Sequence, residues 1–318
     1  MSEQVFLLSL YERHPPLWTL ITTYVRETKD IIEYLRTNTT FFNIHLEFRI
    51  LTTEQWKTLV QHSPNFSFYA IDQNKDLLGT ILQTLCKYNH YSVLDTIRLK
   101  YKVSDNDACK WNLLQIAAEN GHVEVLKELR IGYGLTIKNA RKHTNWALFK
   151  AAERGYIGVV VELRKGYGLT TEDARAHGGV LSHAAENGHV AILVELRTGY
   201  GLSTDDARAD NNEALRGAAI NGHVEVLKEL RTGYGLTTKD AREDNNFALR
   251  FAAHLGHVKV IEELRTGYGL SIDDARTLNN QALQWAARNG HVNVIRELHI
   301  GYGITAEECK NYSVWLKT

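Results

Sequence analysis

Ala218-Ala219-Ile220-Asn221-Gly222-His223-Val224-Glu225-Val226-Leu227-Lys228 holds a helix end, a turn and a helix start within eleven residues. Upstream, Asn211-Asn212-Glu213-Ala214-Leu215-Arg216-Gly217 extends the first helix, with Asn in the N-cap place. Gly222-His223 breaks that helix, because glycine supplies the positive φ that ends one. Val224 to Arg231 reads as a second helix with Val224, Val226, Leu227 and Leu230 apolar, and Gly233-Tyr234-Gly235 stops it. Thr237-Thr238-Lys239-Asp240 then has the form of a capping box, with Asp in the place of Glu, and opens a short third helix. The same Ser/Thr-x-x-acid pattern starts at Thr170, Ser203, Ser271 and Thr305.

The turn glycine recurs at Gly121, Gly155, Gly188, Gly222, Gly256 and Gly290, at spacings of 34, 33, 34, 34 and 34. Gly-Tyr-Gly follows each of them, beginning at Gly132, Gly166, Gly199, Gly233, Gly267 and Gly301. A fainter copy with His90, Val93-Leu94, Arg98, Tyr101, Ser104 and Ala108 precedes them, giving about seven units over residues 76–310. A helical pair this short cannot bury its own apolar face, so stacking on its neighbours creates the core. The expected fold is an all-α helical repeat solenoid.

The stretch 218–228 resembles the centre of an ankyrin repeat, and the match recurs six times over about three quarters of the chain. Glu213-Ala214-Leu215-Arg216 stands where the family carries Thr-Pro-Leu-His, and Gly-Tyr-Gly with a short helix stands where it has a β-hairpin finger. The resemblance implies a stack of helical pairs whose first helices line a concave, protein-binding surface, with no catalysis and no cofactor. Long, near-identical arrays of this kind on unfamiliar N-terminal segments are similar to effectors that intracellular bacteria deliver into eukaryotic cells. That likeness implies a host protein as partner.

Counted back from each turn glycine, positions 8, 7, 4 and 3 hold Ala/Leu/Val, Leu, Ala and Ala. At about 100° per residue they make one broad apolar face. Positions 9, 5 and 2 gather within about 60° on the opposite side and change from unit to unit. They are Trp146, Lys150 and Glu153, then His183 and Glu186, then Glu213, Gly217 and Ile220. Phe247, Phe251 and His254 follow, then Gln281, Trp285 and Arg288. Varied aromatic and charged residues on a constant scaffold are what a partner-reading surface requires, with Phe247, Phe251 and Trp285 as its anchor. The competing reading is drift on a solvated face, or aromatic rings tucked between units.

Other repeated residues point to structure. His90, His122, His189, His223, His257 and His291 form a column, but stacked helices lie ~8–10 Å apart and zinc needs each nitrogen at about 2.1 Å. They are expected to bond the backbone, and no metal site is expected. Glu128/Arg130, Glu162/Arg164, Glu195/Arg197, Glu229/Arg231 and Glu263/Arg265 are expected to form one ladder of ion pairs, joined by Arg175, Arg208, Arg242 and Arg276.

All three prolines lie within the first 64 residues and all 23 glycines after residue 78, so the building plan changes near residue 76. Residues 1–75 are expected to be a mostly helical, aromatic-rich cap or small domain, with helices at Glu3–Tyr11, from Pro15-Pro16 through Leu35, and at Thr53–Gln61. Residues 311–318 read as a partial unit whose Trp315 covers the last core layer. Lys+Arg and Asp+Glu are 37 each, which weighs against nucleic acid. Asn-Asn and Leu-Thr-x-x in units of this length still leave a DNA-reading repeat as a remote alternative. An enzyme, or an enzyme regulator, with its activity in residues 1–75 is the nearer one, although Cys86 and His90 lack an orienting third group. No apolar run reaches the ~20 residues of a membrane span. Three cysteines and no signal-like start fit a monomer in the cytoplasm, or one exported into a host cell without a cleaved signal.

Overall fold

The computed structural model describes residues 53–62, 64, 66–176 and 178–310. The helices expected before residue 53, and the partial unit 311–318 with Trp315, lie outside the described residues. Every regular element among the described residues is a helix, and none is a strand. The fold is an all-α helical repeat solenoid, and the described chain divides into two compact units. One comprises the residues up to Ala117 together with Glu128–Leu135, the other Ala118–Lys127 together with the residues from Thr136 onward.

In the first unit, helix Thr53–His62 packs on Leu78–Lys87, which is followed by Tyr91–Tyr101. His90 Nε2 donates to the carbonyl of Gln61 at 2.7 Å. Tyr101 donates its hydroxyl to the Phe68 carbonyl at 2.9 Å, on helix Phe66–Gln73. Tyr133 does the same to Leu94 at 2.8 Å. The pair Thr53–His62 and Phe66–Gln73 thus receives a turn histidine and a tyrosine hydroxyl, as the helices of a repeat do.

In the second unit each repeat is a short, a first and a second helix. Thr238–Ala241, Glu243–Leu255 and Val258–Thr266 are representative. Apolar spacing places the core: Ala214, Leu215, Ala218 and Ala219 of one first helix are at most 2% exposed, as are Val226, Leu227 and Leu230 of its second helix. At about 1.5–3 kcal/mol for each fully buried Leu or Val, this repeated layer is the main stabilising term.

Polar side chains fix the register between layers. Tyr167, Tyr200, Tyr234, Tyr268 and Tyr302, all buried, donate to the carbonyls of Leu126, Val160, Leu193, Leu227 and Ile261 at 2.8–3.1 Å. Each such bond contributes about 1 kcal/mol, and burial would make its loss costlier. Thr204 and Thr238 donate to the Tyr234 and Tyr268 carbonyls at 2.5 Å.

The charged residues form two ladders rather than the single one expected. Along the second helices, Arg164, Arg197, Arg231 and Arg265 pair with Glu195, Glu229, Glu263 and Glu297 at 2.6–2.9 Å. Arg175, Arg208, Arg242 and Arg276 belong to a separate one. Each sends two nitrogens to both carboxylate oxygens of Asp206, Asp240, Asp274 or Glu308, at 2.7–3.1 Å. Those acids are the capping-box residues of the next short helix. Thr237 N donates to Asp240 Oδ2 at 2.7 Å, and equivalent boxes close at Ser203 and Ser271.

The first helices also start differently from the N-cap expected. Asp210-Asn211-Asn212 and Asp244-Asn245-Asn246 are three consecutive left-handed residues, with φ between 51° and 57°. His143-Thr144-Asn145 and Leu278-Asn279-Asn280 adopt the same turn. Asp and Asn tolerate this conformation better than other side chains, which explains the Asn-Asn pairs. Its third residue is buried at Asn145, Asn212 and Asn246 and half-buried at Asn280, and at three of the four it reaches the next unit. Asn246 Nδ2 donates to Thr277 Oγ1 at 2.8 Å, and Asn145 Nδ2 to the Asp173 carbonyl at 2.9 Å.

Arg175 hydrogen bonds hold the Asp206 carboxyl down at about 2, against burial. For Asp240 and Asp274 burial pulls upward, but the arginine and box hydrogen bonds leave both below the ordinary range. A lowered folded value stabilises the fold above the unfolded value of about 3.9, and that contribution disappears as pH falls toward the folded value. The thermal midpoint is therefore expected to stay level above about pH 5 and to drop between about pH 4 and 2. Asp240→Asn should have a lower midpoint at neutral pH and a shallower drop. A midpoint independent of pH in that window would contradict the doubly used carboxylate.

Gly222 has φ +79°, and a Cβ there would lie 2.9 Å from His257 Nδ1 of the next unit. Gly222→Ala is expected to cost about 1–3 kcal/mol by denaturant unfolding, because it adds left-handed strain to a crowded ring.

Candidate functional site

First helices pack on one another more closely than second helices do, so their row is the inner side of the second unit. Alanines at positions 4 and 3 before each turn glycine permit that approach, and they leave the variable positions facing outward.

The structure brings five of the sequence-derived site residues together. Phe247 and Phe251 stack with centroids 4.1 Å apart, one helical turn from each other. Trp285, from the next first helix, stands edge-on to Phe251 at 5.2 Å, and His254 completes the cluster 5.2 Å from Trp285. Gln281 enters through Oε1, which accepts from Arg250 Nη1 at 2.5 Å. The rings are half-buried: they cover one another without leaving the surface. A second cluster gathers Trp146, Lys150, Glu153 and His183. Trp146 lies 5.6 Å and His183 4.9 Å from the Phe149 ring, and Lys150, paired with Glu153 at 2.6 Å, sits over both Trp146 and Phe149. Glu186, Glu213, Ile220 and Arg288 join neither cluster. Glu186, Glu213 and Arg288 are exposed, and Ile220 is half-buried.

Three contributors lie at a position that the sequence reading passed over, six before the turn glycine. Phe149 is the centre of one cluster. Arg216 lies over Phe247 at 5.2 Å, and Arg250 faces the Phe247 and Trp285 rings at 6.0 and 5.8 Å. Arg250 is buried, and its other bonds go to the carbonyls of Asn245 and Asp244 at 2.8 and 2.9 Å. Burial pulls its guanidinium below the ordinary range, and Asp244 opposes the shift. Position 6 runs Gln115, Phe149, Ser182, Arg216, Arg250 and Gln284 through the units, as varied as its neighbours. That variation was the available signal.

Four of the six turn histidines, His90 among them, are seen to bond the backbone through the ring. His189, His257 and His291 donate from Nε2 to the carbonyls of Glu153, Ile220 and His254 at 2.7–3.0 Å. Cys86 is fully buried, its thiol pushed far up by desolvation, while the His90 ring is engaged with Gln61. A thiol held protonated in this way is no nucleophile.

If the clusters are surface features, their removal must be tolerated. Phe251→Ala and Trp285→Ala are each expected to shift stability much less than Leu249→Ala. Leu249 is fully buried, and its truncation should cost about 2–5 kcal/mol. Equal losses in urea unfolding would instead make the rings part of the core.

Residues 215–308 match the family model described as ankyrin repeats (3 copies). No curated protein matches the chain. No helix among the described residues is long and apolar enough to cross a membrane. Ankyrin repeats are protein–protein interaction modules, and the matched stretch contains Phe247, Phe251 and Trp285. That stretch of the chain is similar to ankyrin repeats.

Proposed function

We propose that the chain is a non-enzymatic adaptor that holds a partner protein on the first-helix face of its second unit. The observation that carries this reading is the Phe247–Phe251–Trp285–His254 cluster, half-buried aromatic residues gathered on positions that vary between otherwise repeated units. Rigid aromatic rings backed by guanidinium groups are the usual composition of an interface hot spot. The Trp146–Phe149–His183 cluster, with Lys150 and Glu153, widens the contact along the same face. Glu186, Glu213, Ile220, Gln281 and Arg288 supply its polar and apolar surroundings. Zero net charge favours a protein over nucleic acid as the ligand. The likeness to delivered effectors makes a eukaryotic host protein the source to search first, with the adaptor acting as a monomer in the host cytoplasm. Residues 1–75 serve as the cap of the array in this reading.

The test is affinity capture from eukaryotic cell lysate by the intact protein and by a Phe247→Ala, Phe251→Ala, Trp285→Ala variant of unchanged helicity. A protein held by the first and reduced at least tenfold by the second is the expected result, since each lost hot-spot ring is worth about 2 kcal/mol or more. Equal capture by both would move the interface away from this face.

A further inference from the structure

Toward the N-terminal end of the second-helix ladder, one rung is open. Arg98 stands in helix Tyr91–Tyr101 where Arg265 stands in Val258–Thr266, and Glu128 stands in Val123–Ile131 where Glu263 stands in the same later helix. Tyr133 donates to the Leu94 carbonyl at 2.8 Å, so the two layers are in register. Yet Arg98 Nε and Glu128 Oε1 are both shielded from solvent, and neither has a hydrogen-bond partner among the described residues. The carboxylate is in its ladder place: a Cβ on Gly132 would lie 2.1 Å from Glu128 Oε1, as one on Gly267 would from Glu263 Oε1. It is the arginine that has turned away. Arg98 Nη2 donates to Asp95 Oδ1 within its own helix, and its guanidinium lies 5.9 Å from the Tyr133 ring.

Asp95, three residues before Arg98, is the competitor. The same place before Arg130, Arg164, Arg197 and Arg231 holds Lys127, Val161, Val194 and Lys228, and none of these is an acid. Of the later ladder arginines only Arg265 has an acid there, Glu262. Arg265 nevertheless crosses to Glu297 at 2.7 Å, because Lys259 has taken Glu262 at 2.9 Å. In the place of Lys259 the earlier helix has Ser92, which is exposed and brings no charge. Asp95 is then left to draw Arg98 to itself. Burial and the Asp95 charge push the Glu128 carboxyl above its ordinary range, with Arg98 opposing them. The helix from Val258 thus shows what the helix from Tyr91 lacks: a second cation that frees the arginine.

We propose that Arg98 is a latch at this junction, held off Glu128 by Asp95 and released onto it when another cation takes Asp95. The Asp95 side chain is half-exposed, so that cation can come from outside the chain. A lysine or arginine of a bound protein would act on Asp95 as Lys259 acts on Glu262. Binding at the surface then tightens the docking of helix Tyr91–Tyr101 on the layer that carries Glu128 and Tyr133, since the closed rung satisfies two shielded groups at once.

Ser92→Lys supplies the cation in cis, and Asp95→Asn removes the competitor. Hydrogen exchange of the Tyr91–Tyr101 amides is measured in the full-length protein carrying each substitution, alone and combined with Glu128→Ala. Exchange slowed about fivefold or more by both single variants, and by neither in the Glu128→Ala background, is the expected result, because a partly buried charge-assisted bond shifts local opening by that order. The Glu128→Ala background also cancels any change in helix propensity that the two substitutions bring. Slowing that survives Glu128→Ala, or the failure of either variant to slow exchange, would overturn the latch. So would a thermal midpoint lowered as far by Glu128→Ala as by Glu263→Ala, since the rung would then already be closed in solution.

Discussion

From Thr171–Ala176 onward, the carboxylate three residues into each short helix is used twice. Asp240 closes the capping box that starts its own helix, and it also receives both nitrogens of Arg208 from the unit before. Local and long-range order therefore rest on one group. A short helix of four residues has no stability of its own. Docking supplies its partner at the same moment as its cap, so neither forms usefully without the other. This is the nearest-neighbour coupling that makes a stack cooperative although each unit touches only those beside it.

The remaining junction contacts follow the same economy. A tyrosine hydroxyl, a threonine hydroxyl and a histidine ring each satisfy a carbonyl of an adjacent unit, and the first glycine of Gly-Tyr-Gly leaves room for the Arg–Glu pair above it. At Gly233 an added Cβ would lie 2.1 Å from Glu229 Oε1 and 2.8 Å from Arg197 Nε. These roles account for the near identity of the second helices, turns and short helices. The first-helix face carries few such bonds between layers. Substitution there costs little at the junctions, which is why the varied aromatic and charged residues collect on it.

The apolar layer was legible because its period repeats: Leu215, Ala218, Leu227 and Leu230 are buried as their spacing demands. Gly222 was legible for the same reason. Four features were not, or only in part. Asp and Asn serve both as N-caps and as left-handed residues, so Asn211-Asn212 could not be told apart as one or the other from sequence alone. The arginines of both ladders recur every 33–34 residues and each reaches an acid 31–32 residues further on, so spacing could not divide them. Arg216, Arg250 and Phe149 escaped because a long helical side chain leans toward the preceding turn, and a wheel drawn from Cα positions misplaces its tip. The pair Thr53–His62 and Phe66–Gln73 lacks the turn glycine that marks the six units from Gly121 onward. Only its first helix could be read.

Among the six units marked by a turn glycine, one spacing is a residue shorter than the others, and that unit carries Gly178, at φ +72°, ahead of its first helix. The bonds across it span 31 residues, where others span 32, yet Arg175 still meets Asp206 and Arg164 still meets Glu195. Because every junction repeats the same donors and acceptors, excising or duplicating one whole period rejoins matching surfaces. The gene can thus gain or lose a module by unequal recombination without redesigning a contact. Array length becomes a heritable variable, set independently of what any single face residue recognises.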